Sequence, residues 1–343
     1  MKTKLHQFLV VTLLMCAIQG QSQDIHFSQI FETPLLRNPA LAGLFTGDVR
    51  IQSVYRSQWN SVTDAYKTGS LNGEFKLKVG QADDFITIGG QILYDKAGTV
   101  ALSSTHILPA LNYHKSLSAD RNSYLSLGVM GGWVQRSIDR SKMTTNSQFD
   151  GSGYNGTLST GENFNKSSYS YFDGSVGMSF NNQLGENEDN NIFVGLAYHH
   201  FNRPSKLSFY STNKYEMMAK WVGSAGIRMN MTDNSFFTIQ ADYSKQGVYS
   251  ETVAGALYSL KLGDDENPRY RIHGGAYLRW KDALIPVVKL EFNPIAVAFS
   301  YDANISQLKT ASTGRGGYEV SLTYQKFADR FNSSKESIRC PRF

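Results

Sequence analysis

Two adjacent histidines are the residues of this chain whose types and spacing come nearest to a site for chemistry. His199 and His200 offer the imidazole nitrogens that bind transition metals. The residues around them alternate in polarity as a β-strand does, and neighbouring residues of a strand point to opposite faces. We therefore expect one of the two imidazoles to lie on the apolar face or at its edge, which argues against a shared metal ion.

No other grouping of residues predicts a catalytic or cofactor site. The other histidines beyond the N-terminus are not grouped with Cys, Asp or Glu at the spacing of a metal site; they are His26, His106, His114 and His273. Ser and His are common, but no motif arranges them as a hydrolase triad requires. The Gly-rich stretch 150–156 has no helix after it to bind a phosphate. The sequence thus predicts no enzyme, no metal and no cofactor.

Alternating polarity organises most of the chain. From residue 48 to residue 326, segments of about ten residues with one apolar face are followed by Gly, Asn, Asp or Ser, and helical spacing is nowhere sustained. In one segment Leu71, Phe75 and Leu77 alternate with polar residues. The predicted strands are 49–58, 69–79, 85–95, 101–114, 123–135, 169–180, 191–201, 217–231, 235–245, 250–262, 270–280, 283–292, 294–303 and 317–326.

The ends of these strands carry aromatic residues in a regular way. If the first strand runs outward, every outward strand ends in an aromatic residue on its apolar face, as in a girdle at the lipid headgroups. These residues are Tyr55, Tyr94, Trp133, Tyr198, Tyr243, Trp280 and Tyr301. The longest connections, 136–168, 202–216 and 304–316, then all lie on the extracellular side, as barrel loops do.

The pattern favours an all-β fold, a transmembrane antiparallel outer-membrane β-barrel of about 14 strands. A mean hydropathy of −0.34 agrees with this, because only alternate side chains meet lipid. A soluble β-sandwich also alternates, but a run of this length would leave open edges to protect. Inward-facing charges of both signs, such as Lys76 and Glu74, favour a polar and partly salt-bridged interior over the alternative of a charge-selective pore.

The N-terminal residues have the plan of a secretory signal peptide. Lys2 and Lys4 precede an apolar run from Phe8 to Ile18, and cleavage is expected near Ser22. A lipoprotein signal ending at Cys16 is disfavoured because Met15 stands where a small residue is needed. Loss of the two lysines lowers the formal net charge from +5 to +3, which indicates no nucleic-acid partner.

The expected organisation is therefore a signal peptide (1–22), an N-terminal periplasmic or plug segment (23–47), the barrel (48–326) and a periplasmic tail (327–343). Pro34 and Pro39 disfavour a regular helix or central strand in the N-terminal segment. Cys340 is the only cysteine left after cleavage, so no disulfide within the chain is expected. It could be a free thiol or an intermolecular link.

Motifs at the two ends of the chain resemble those of a known family. The residues that carry the resemblance are Gln23-Asp24-Ile25-His26-Phe27-Ser28-Gln29, Asn38-Pro39-Ala40-Leu41-Ala42-Gly43, Tyr55-Arg56-Ser57-Gln58-Trp59 and Cys340-Pro341-Arg342-Phe343. In this order they resemble the PorP/SprF proteins of the type IX secretion and gliding machinery of Bacteroidetes. Ser57 departs from the amide side chain of that pattern, and Asn-Pro-Ala alone also occurs in barrels of the fatty-acid transporter type.

The resemblance implies an outer-membrane protein that supports export or surface attachment of a cargo protein. The implied partners are outer-membrane lipid, a secreted adhesin-like surface protein, and periplasmic type IX or peptidoglycan-linked proteins. The candidate partner-binding residues are Asp24, His26, Phe27, Asn38, Pro39, Cys340, Pro341, Arg342 and Phe343. The main alternative is a small-molecule or hydrophobic-ligand transporter, which predicts an open path or an apolar pocket behind Asn38-Pro39-Ala40. An outer-membrane hydrolase is a third possibility that no motif supports.

Overall fold

The structure is a computed structural model. It describes residues 24–59, 65–80, 83–118, 121–187, 189–205, 207–210, 215–263, 270–306, 309–312 and 314–327. The expected signal peptide, the tail motif and the predicted tail residues from 328 onward lie outside the described residues.

Fourteen antiparallel strands form a closed barrel in which each strand pairs with its neighbours in the sequence and β1 pairs with β14. Closure places Arg56 of β1 directly opposite Glu319 of β14. The strands are β1 Val49–Gln58, β2 Tyr66–Lys78, β3 Phe85–Ala97, β4 Leu102–Ser118, β5 Ser123–Ser137, β6 Ser168–Gln183, β7 Asn191–His199, β8 Lys220–Thr232, β9 Ser235–Gln246, β10 Tyr249–Leu262, β11 Tyr270–Arg279, β12 Ala283–Phe292, β13 Ile295–Asn304 and β14 Arg315–Lys326. The predicted fold class and strand number are confirmed.

Each strand separates an apolar outer face from a polar inner face. Ile92 and Val129 are about half exposed on the outside, whereas Asn112 and Ser126 are fully buried inside. Closure explains why the alternation extends over the whole chain, since each backbone group pairs within the barrel. Six of the seven aromatic residues predicted for the girdle are exposed. The seventh, Tyr198, is half-buried because it packs against Trp221, with 4.4 Å between the ring centroids.

The two ends of the barrel differ. At the end where β1 begins and β14 ends, called here the terminal end, turns such as that between β8 and β9 are short. At the opposite end, the loop end, the connections 138–167 and 200–219 fold against each other. The backbone N–H groups of Asn165 and Lys166 both donate to the carbonyl of Phe209, and the ring of Phe164 packs on Tyr210 at 4.8 Å. These loops cover part of the loop end.

Short helical turns precede the barrel. A 3₁₀ turn spans Ile30–Glu32, helix α1 spans Pro34–Arg37, and a second 3₁₀ turn spans Pro39–Leu41. Further short turns occur in the loop-end connections at Arg140–Lys142, Asn146–Gln148 and α2, Lys309–Ser312. We call residues 24–48 the lumen segment, because their contacts are with inward-facing side chains of the strands.

Among the described residues, no helix has the length and apolar character needed to cross a bilayer.

Candidate functional site: the lumen segment and its contacts

The lumen segment runs along the inside of the barrel from one end to the other. At the loop end, the backbone N–H of Asp24 donates to the side chain of Gln246, the last residue of β9, at 3.3 Å. At the terminal end, the N–H of Asp48 donates to the carbonyl of Lys326, the last residue of β14, at 3.0 Å. The first described residue of the chain therefore lies at the end of the barrel remote from the start of β1.

Asp24 is held by a charged cluster around His200. Nε2 of His200 lies 2.7 Å from the Asp24 carboxylate, and Nδ1 of the same ring lies 2.8 Å from both carboxylate oxygens of Asp173. Nζ of Lys220 is 3.7 Å from Asp24. His200 after β7 and Lys220 of β8 thus contact Asp24 directly, and Asp173 of β6 holds the His200 ring in place.

The expectation that one of the two adjacent imidazoles faces lipid was wrong. His199 and His200 are each only 6% exposed. His200 follows the last residue of β7 and has a φ of 57°, which breaks the alternation of the strand and turns its side chain inward. His199 points inward as well, with its two ring nitrogens near Ser175 and the Arg37 carbonyl at 2.9 and 3.1 Å. Both rings therefore contribute to binding the lumen segment.

The charges of this cluster reinforce one another. Burial opposes a charge on His200, but the carboxylates of Asp24 and Asp173 outweigh it and raise the pKa of His200 to about 10. Burial likewise opposes ionisation of Asp24, yet His200 and Lys220 hold the pKa of that carboxyl well below its usual range. His26 behaves in the opposite way, since burial, Arg56 and Arg279 lower its pKa. At neutral pH His200 is charged and His26 is neutral.

Glu319 holds the backbone of the lumen segment. Its two carboxylate oxygens accept the N–H groups of Ser28 and Gln29 at 2.6 and 2.8 Å. The side-chain amide of Gln29 donates to the Glu319 carbonyl and to the Ser300 hydroxyl, both at 3.1 Å. The Glu319 carboxylate thus binds two successive backbone N–H groups. Hydrogen bonds to a charged group are stronger than those between neutral groups.

Two arginines complete the network around Glu319. Arg56 lies 3.2 Å from Glu319 and 3.0 Å from Asp302, and it also donates to the carbonyl of His26. Arg279 lies 3.2 Å from the same Asp302 carboxylate. Arg56 is 1% exposed and Glu319 is fully buried. The predicted salt-bridged interior is confirmed, and Arg56 of the first-strand motif is placed at its centre.

Two further ion pairs hold the middle of the segment. Glu32 pairs with Lys289 at 2.8 Å and accepts hydrogen bonds from Gln52 and Thr323. Arg37 makes a two-pronged contact with Asp242, at 2.5 Å for each nitrogen. A buried charge is tolerated only when it is paired and hydrogen-bonded, so these contacts determine how the segment lies in the lumen.

The Asn38-Pro39-Ala40 turn packs against strand positions that have no side chain. Oδ1 of Asn38 accepts the N–H of Ala40 at 2.8 Å, and its amide nitrogen donates to the Met178 carbonyl at 3.1 Å. A Cβ on Gly128 would lie 2.5 Å from the backbone of Pro39 and Ala40. A Cβ on Gly195 would lie 2.8 Å from the Asn38 side chain. The glycines allow the turn to approach the wall closely.

The structure thus brings five of the predicted site residues into the lumen and separates them into two groups. Phe27, Asn38 and Pro39 are buried against the wall. Asp24 and His26 instead border a cavity of about 520 Å³ at the loop end. Its wall also contains Trp59, Trp280, Glu251 and Asp282. The remaining predicted residues, Cys340, Pro341, Arg342 and Phe343, lie outside the described residues.

The wall residues that bind the segment were not predicted. The sequence predicted inward-facing charges in general but singled out neither Glu319 nor Asp302 as a partner of the segment. Glu319 lies opposite Arg56 only in the register of the closed barrel, and Asp302 lies one strand further on, so these contacts cannot be recognised before the register is known. Within the described part of the chain, no group of His, Cys, Asp and Glu side chains is arranged to hold a metal ion.

A closed antiparallel barrel with an apolar outer face and a polar lumen defines the class of integral outer-membrane proteins. Within that class the chain belongs to the PorP/SprF family, described as type IX secretion system membrane protein PorP/SprF, whose model matches residues 19–324. The match includes the three N-terminal motifs, while the terminal Cys340-Pro341-Arg342-Phe343 follows it. This is a family of secretion-system membrane proteins and not a family of enzymes.

Solved structures of other barrels resemble this one in fold. The toluene transporter TodX of P. putida is 10% identical, with a TM-score of 0.47 and coverage of 87% of this chain and 95% of that chain. A Pseudomonas aeruginosa FadL homologue is 11% identical, with a TM-score of 0.46 and coverage of 86% and 94%. The translocator domain of the autotransporter NalP from Neisseria meningitidis is 12% identical, with a TM-score of 0.40 and coverage of 94% and 97%. Among curated proteins, no sequence matches this chain significantly.

Proposed function

We propose that this chain is an outer-membrane component of the type IX secretion and gliding machinery that supports export or surface attachment of a cargo protein through protein–protein contacts. The observation that carries the proposal is the family match over residues 19–324. The proposed orientation has the terminal end in the periplasm and the loop end at the cell surface, because barrels usually keep short turns on the periplasmic side and long loops outside.

The contacts of the lumen segment support a docking role over a conducting one. Ion pairs at Asp24, Glu32 and Arg37 attach the segment to different strands along the inside of the barrel. If the segment were a mobile gate, its opening would have to separate these buried ion pairs, and separating each pair is costly. We infer that the segment is a plug that stiffens the barrel and closes much of its lumen.

The cavity at the loop end is the proposed contact site for cargo. It is bordered by the aromatic residues Trp59 and Trp280 and by the acidic residues Glu251 and Asp282. Aromatic rings and a few charges in a concave surface are the usual composition of a binding hot spot. Asp24 and His26, which the sequence predicted as partner-binding residues, form its floor. Periplasmic type IX or peptidoglycan-linked partners would instead approach the terminal end.

The transporter alternative predicts an apolar pocket behind Asn38-Pro39-Ala40. In the described residues the strand backbone at Gly128 and Gly177 occupies that position, so the turn and the wall are in direct contact. The loop-end cavity is lined by carboxylates, guanidinium groups and imidazoles as well as aromatic rings, which does not suit a hydrocarbon ligand. These two features of the described residues disfavour the alternative.

Pull-down from the native outer membrane tests the proposal. An affinity tag inserted in the Gly-rich stretch 150–156 would be used after mild detergent extraction, and the bound proteins would be identified by mass spectrometry. We expect a large secreted surface protein together with periplasmic components. Recovery of the barrel with only lipid or small ligands would contradict the secretion role and favour the transporter.

A matched pair of variants locates the contact. Trp59 borders the loop-end cavity and is partly buried, whereas Trp133 belongs to the girdle on the outer face and is more than half exposed. We expect Trp59→Ala to reduce recovery of the cargo at least about tenfold, as expected for a tryptophan hot spot. Trp133→Ala should leave recovery unchanged. Equal recovery with both variants would place the cargo contact elsewhere.

A further inference from the structure

A second cavity of about 520 Å³ lies on the outer surface of the barrel, where β3, β4 and β5 meet the start of the connection 138–167. We call it the rim cavity. It is lined by Tyr94, Lys96, Ala101, Ser103, Ser137, Ile138, Asp139, Arg140, Ser141 and Ser167. The strand register places Lys96 opposite Ser103 and Ser103 opposite Ser137, so that polar side chains continue across three strands at one level.

The rim cavity lies just beyond the apolar outer face of the barrel, on the side of the loop end. Ile92 and Ile107 are about half exposed on the lipid-facing side, and Tyr94 stands above Ile92 in the aromatic girdle. Lys96 is two residues beyond Tyr94 on the same face of β3, which is a step of about 7 Å along a strand. Because girdle tyrosines lie at the level of the headgroups, Lys96 lies just beyond the acyl chains.

The chemistry of the cavity suits an anion. In the described part of the chain, neither Lys96 nor Arg140 has a carboxylate within ion-pair distance, and the guanidinium of Arg140 lies 5.9 Å from the centre of the Phe164 ring. The one carboxylate in the wall, that of Asp139, is already engaged. It accepts the N–H and hydroxyl of Ser141 at 3.1 and 2.6 Å and pairs with Lys142 at 3.2 Å.

Hydrogen bonds within the wall form the cavity in advance of any ligand. The N–H of Asp139 donates to the carbonyl of Val100 at 3.1 Å, which joins the connection after β5 to the β3–β4 turn. The N–H of Ile138 donates to the Ser167 carbonyl at 2.9 Å. The hydroxyls of Ser103 and Ser137 are 2.7 Å apart. A site that is already ordered loses little conformational entropy when a ligand binds.

We propose that the rim cavity binds the phosphate-bearing headgroup of an anionic lipid in the outer leaflet, with Lys96 and Arg140 as its cationic contacts and the serine hydroxyls as donors. The acyl chains would lie along the apolar face below Tyr94. This assignment rests on the proposed orientation with the loop end outward, and it does not depend on which cargo the barrel serves.

Native mass spectrometry of the purified full-length barrel tests the proposal. The protein in neutral detergent would be titrated with monophosphoryl lipid A, and the same titration would be repeated with phosphatidylcholine. We expect the double variant Lys96→Gln/Arg140→Gln to bind lipid A at least about tenfold more weakly than the wild type, as loss of charge-assisted contacts implies. Phosphatidylcholine binding should be weak and unchanged.

A lysine on another strand serves as the control. Lys245 stands two residues beyond the girdle residue Tyr243 on β9, as Lys96 does beyond Tyr94, but it is exposed and is not part of the rim cavity. Lys245→Gln should bind lipid A as the wild type does. Equal binding by the wild type and the double variant would overturn the proposal, as would full displacement by inorganic phosphate, which would indicate a free-anion site. Both readouts are independent of cargo recovery.

Discussion

The side-chain oxygen of Asn38 lies 1.9 Å from the point at which a Cβ atom on Gly177 would stand. Gly177 of β6 faces Gly128 of β5 directly across the sheet. The two glycines therefore form one bare patch of wall, and the Asn38-Pro39-Ala40 turn occupies it. Ala40 and Gly128 are 88 positions apart in the sequence. The bare glycines and the turn that packs on them can therefore be matched only in the folded barrel.

The first prediction concerns this contact. Gly177→Ala should force Asn38 away from the wall and lower the free energy of unfolding by about 1–3 kcal/mol, the usual cost of overpacking. Gly73→Ala is the control, because a Cβ there meets nothing within 4 Å. Urea unfolding in vesicles, followed by tryptophan fluorescence, measures both. Equal stability of the two variants would contradict the tight fit.

The second prediction concerns Glu319 and the backbone of the lumen segment. Glu319→Gln leaves Arg56 without one of its buried carboxylates and weakens acceptance of the Ser28 and Gln29 N–H groups. We expect a loss of about 3 kcal/mol in stability, as for other broken buried pairs. Hydrogen exchange of the backbone N–H groups of residues 28 and 29 should become faster under conditions in which the strand amides stay protected. Glu186→Gln, in an exposed turn, should alter neither quantity.

The third prediction is a pH dependence at His200. Its pKa is raised from 6.5 to about 10 by Asp24 and Asp173 against the effect of burial. A group with a raised pKa stabilises the fold fully below its unfolded value and loses that contribution as the pH rises through its folded value. Lys220 also faces Asp24, so part of the attraction should persist at high pH.

Thermal unfolding of His200→Gln checks this pH dependence. The variant should be less stable than the wild type by an amount on the order of 3 kcal/mol at pH 6, and the difference should vanish above about pH 10. His26→Gln is the control above about pH 8, where the ring is neutral in both the folded and the unfolded state because its folded pKa lies well below 6.5. A constant difference between wild type and His200→Gln from pH 6 to pH 10 would contradict the assignment.

The fourth prediction concerns the direction of the lumen segment. Because Asp24 lies at the loop end, a short epitope inserted immediately before it should be reached by antibody on intact cells. An epitope inserted after Phe327, which follows the last strand at the terminal end, should be reached only after permeabilisation. The reverse result would show that the segment, or the barrel, is oriented oppositely.

Much of the fold was predictable because alternation is a local property. The bounds of β1 and β12 coincide with their predicted ranges, and most other strands extend the prediction by a few residues. In contrast, β7, β8 and β11 are shorter than predicted and β13 is shifted by one residue. The extensions occur where polar pairs at the rim keep the ladder intact beyond the apolar face, as Lys96 and Ser103 do. Residues outside the bilayer are polar on both faces of the strand, so the alternation stops there and the predicted strand ends too early.

His200 shows where this local rule fails. Alternation predicted one of the two adjacent imidazoles on the apolar face or at its edge, but the left-handed backbone at His200 turns its ring inward to Asp24. Whether a residue at a strand end follows the pleat depends on the loop that continues from it. The carboxylates of Asp173 on β6 and of Asp24 in the lumen segment pair with His200 and stabilise this conformation.

The sequence by itself determined the strands, their faces, the aromatic girdle and the family motifs, because each of these is written in neighbouring residues. Only the folded barrel shows that the segment 24–48 lies in the lumen, with Asp24 at the loop end and Asp48 at the terminal end. It also shows that Glu319 and Arg56 bind the backbone of the segment and that its turn packs on strand glycines. Those contacts join residues from distant strands. They depend on the strand register and on barrel closure, and neither is encoded in the period of any one segment.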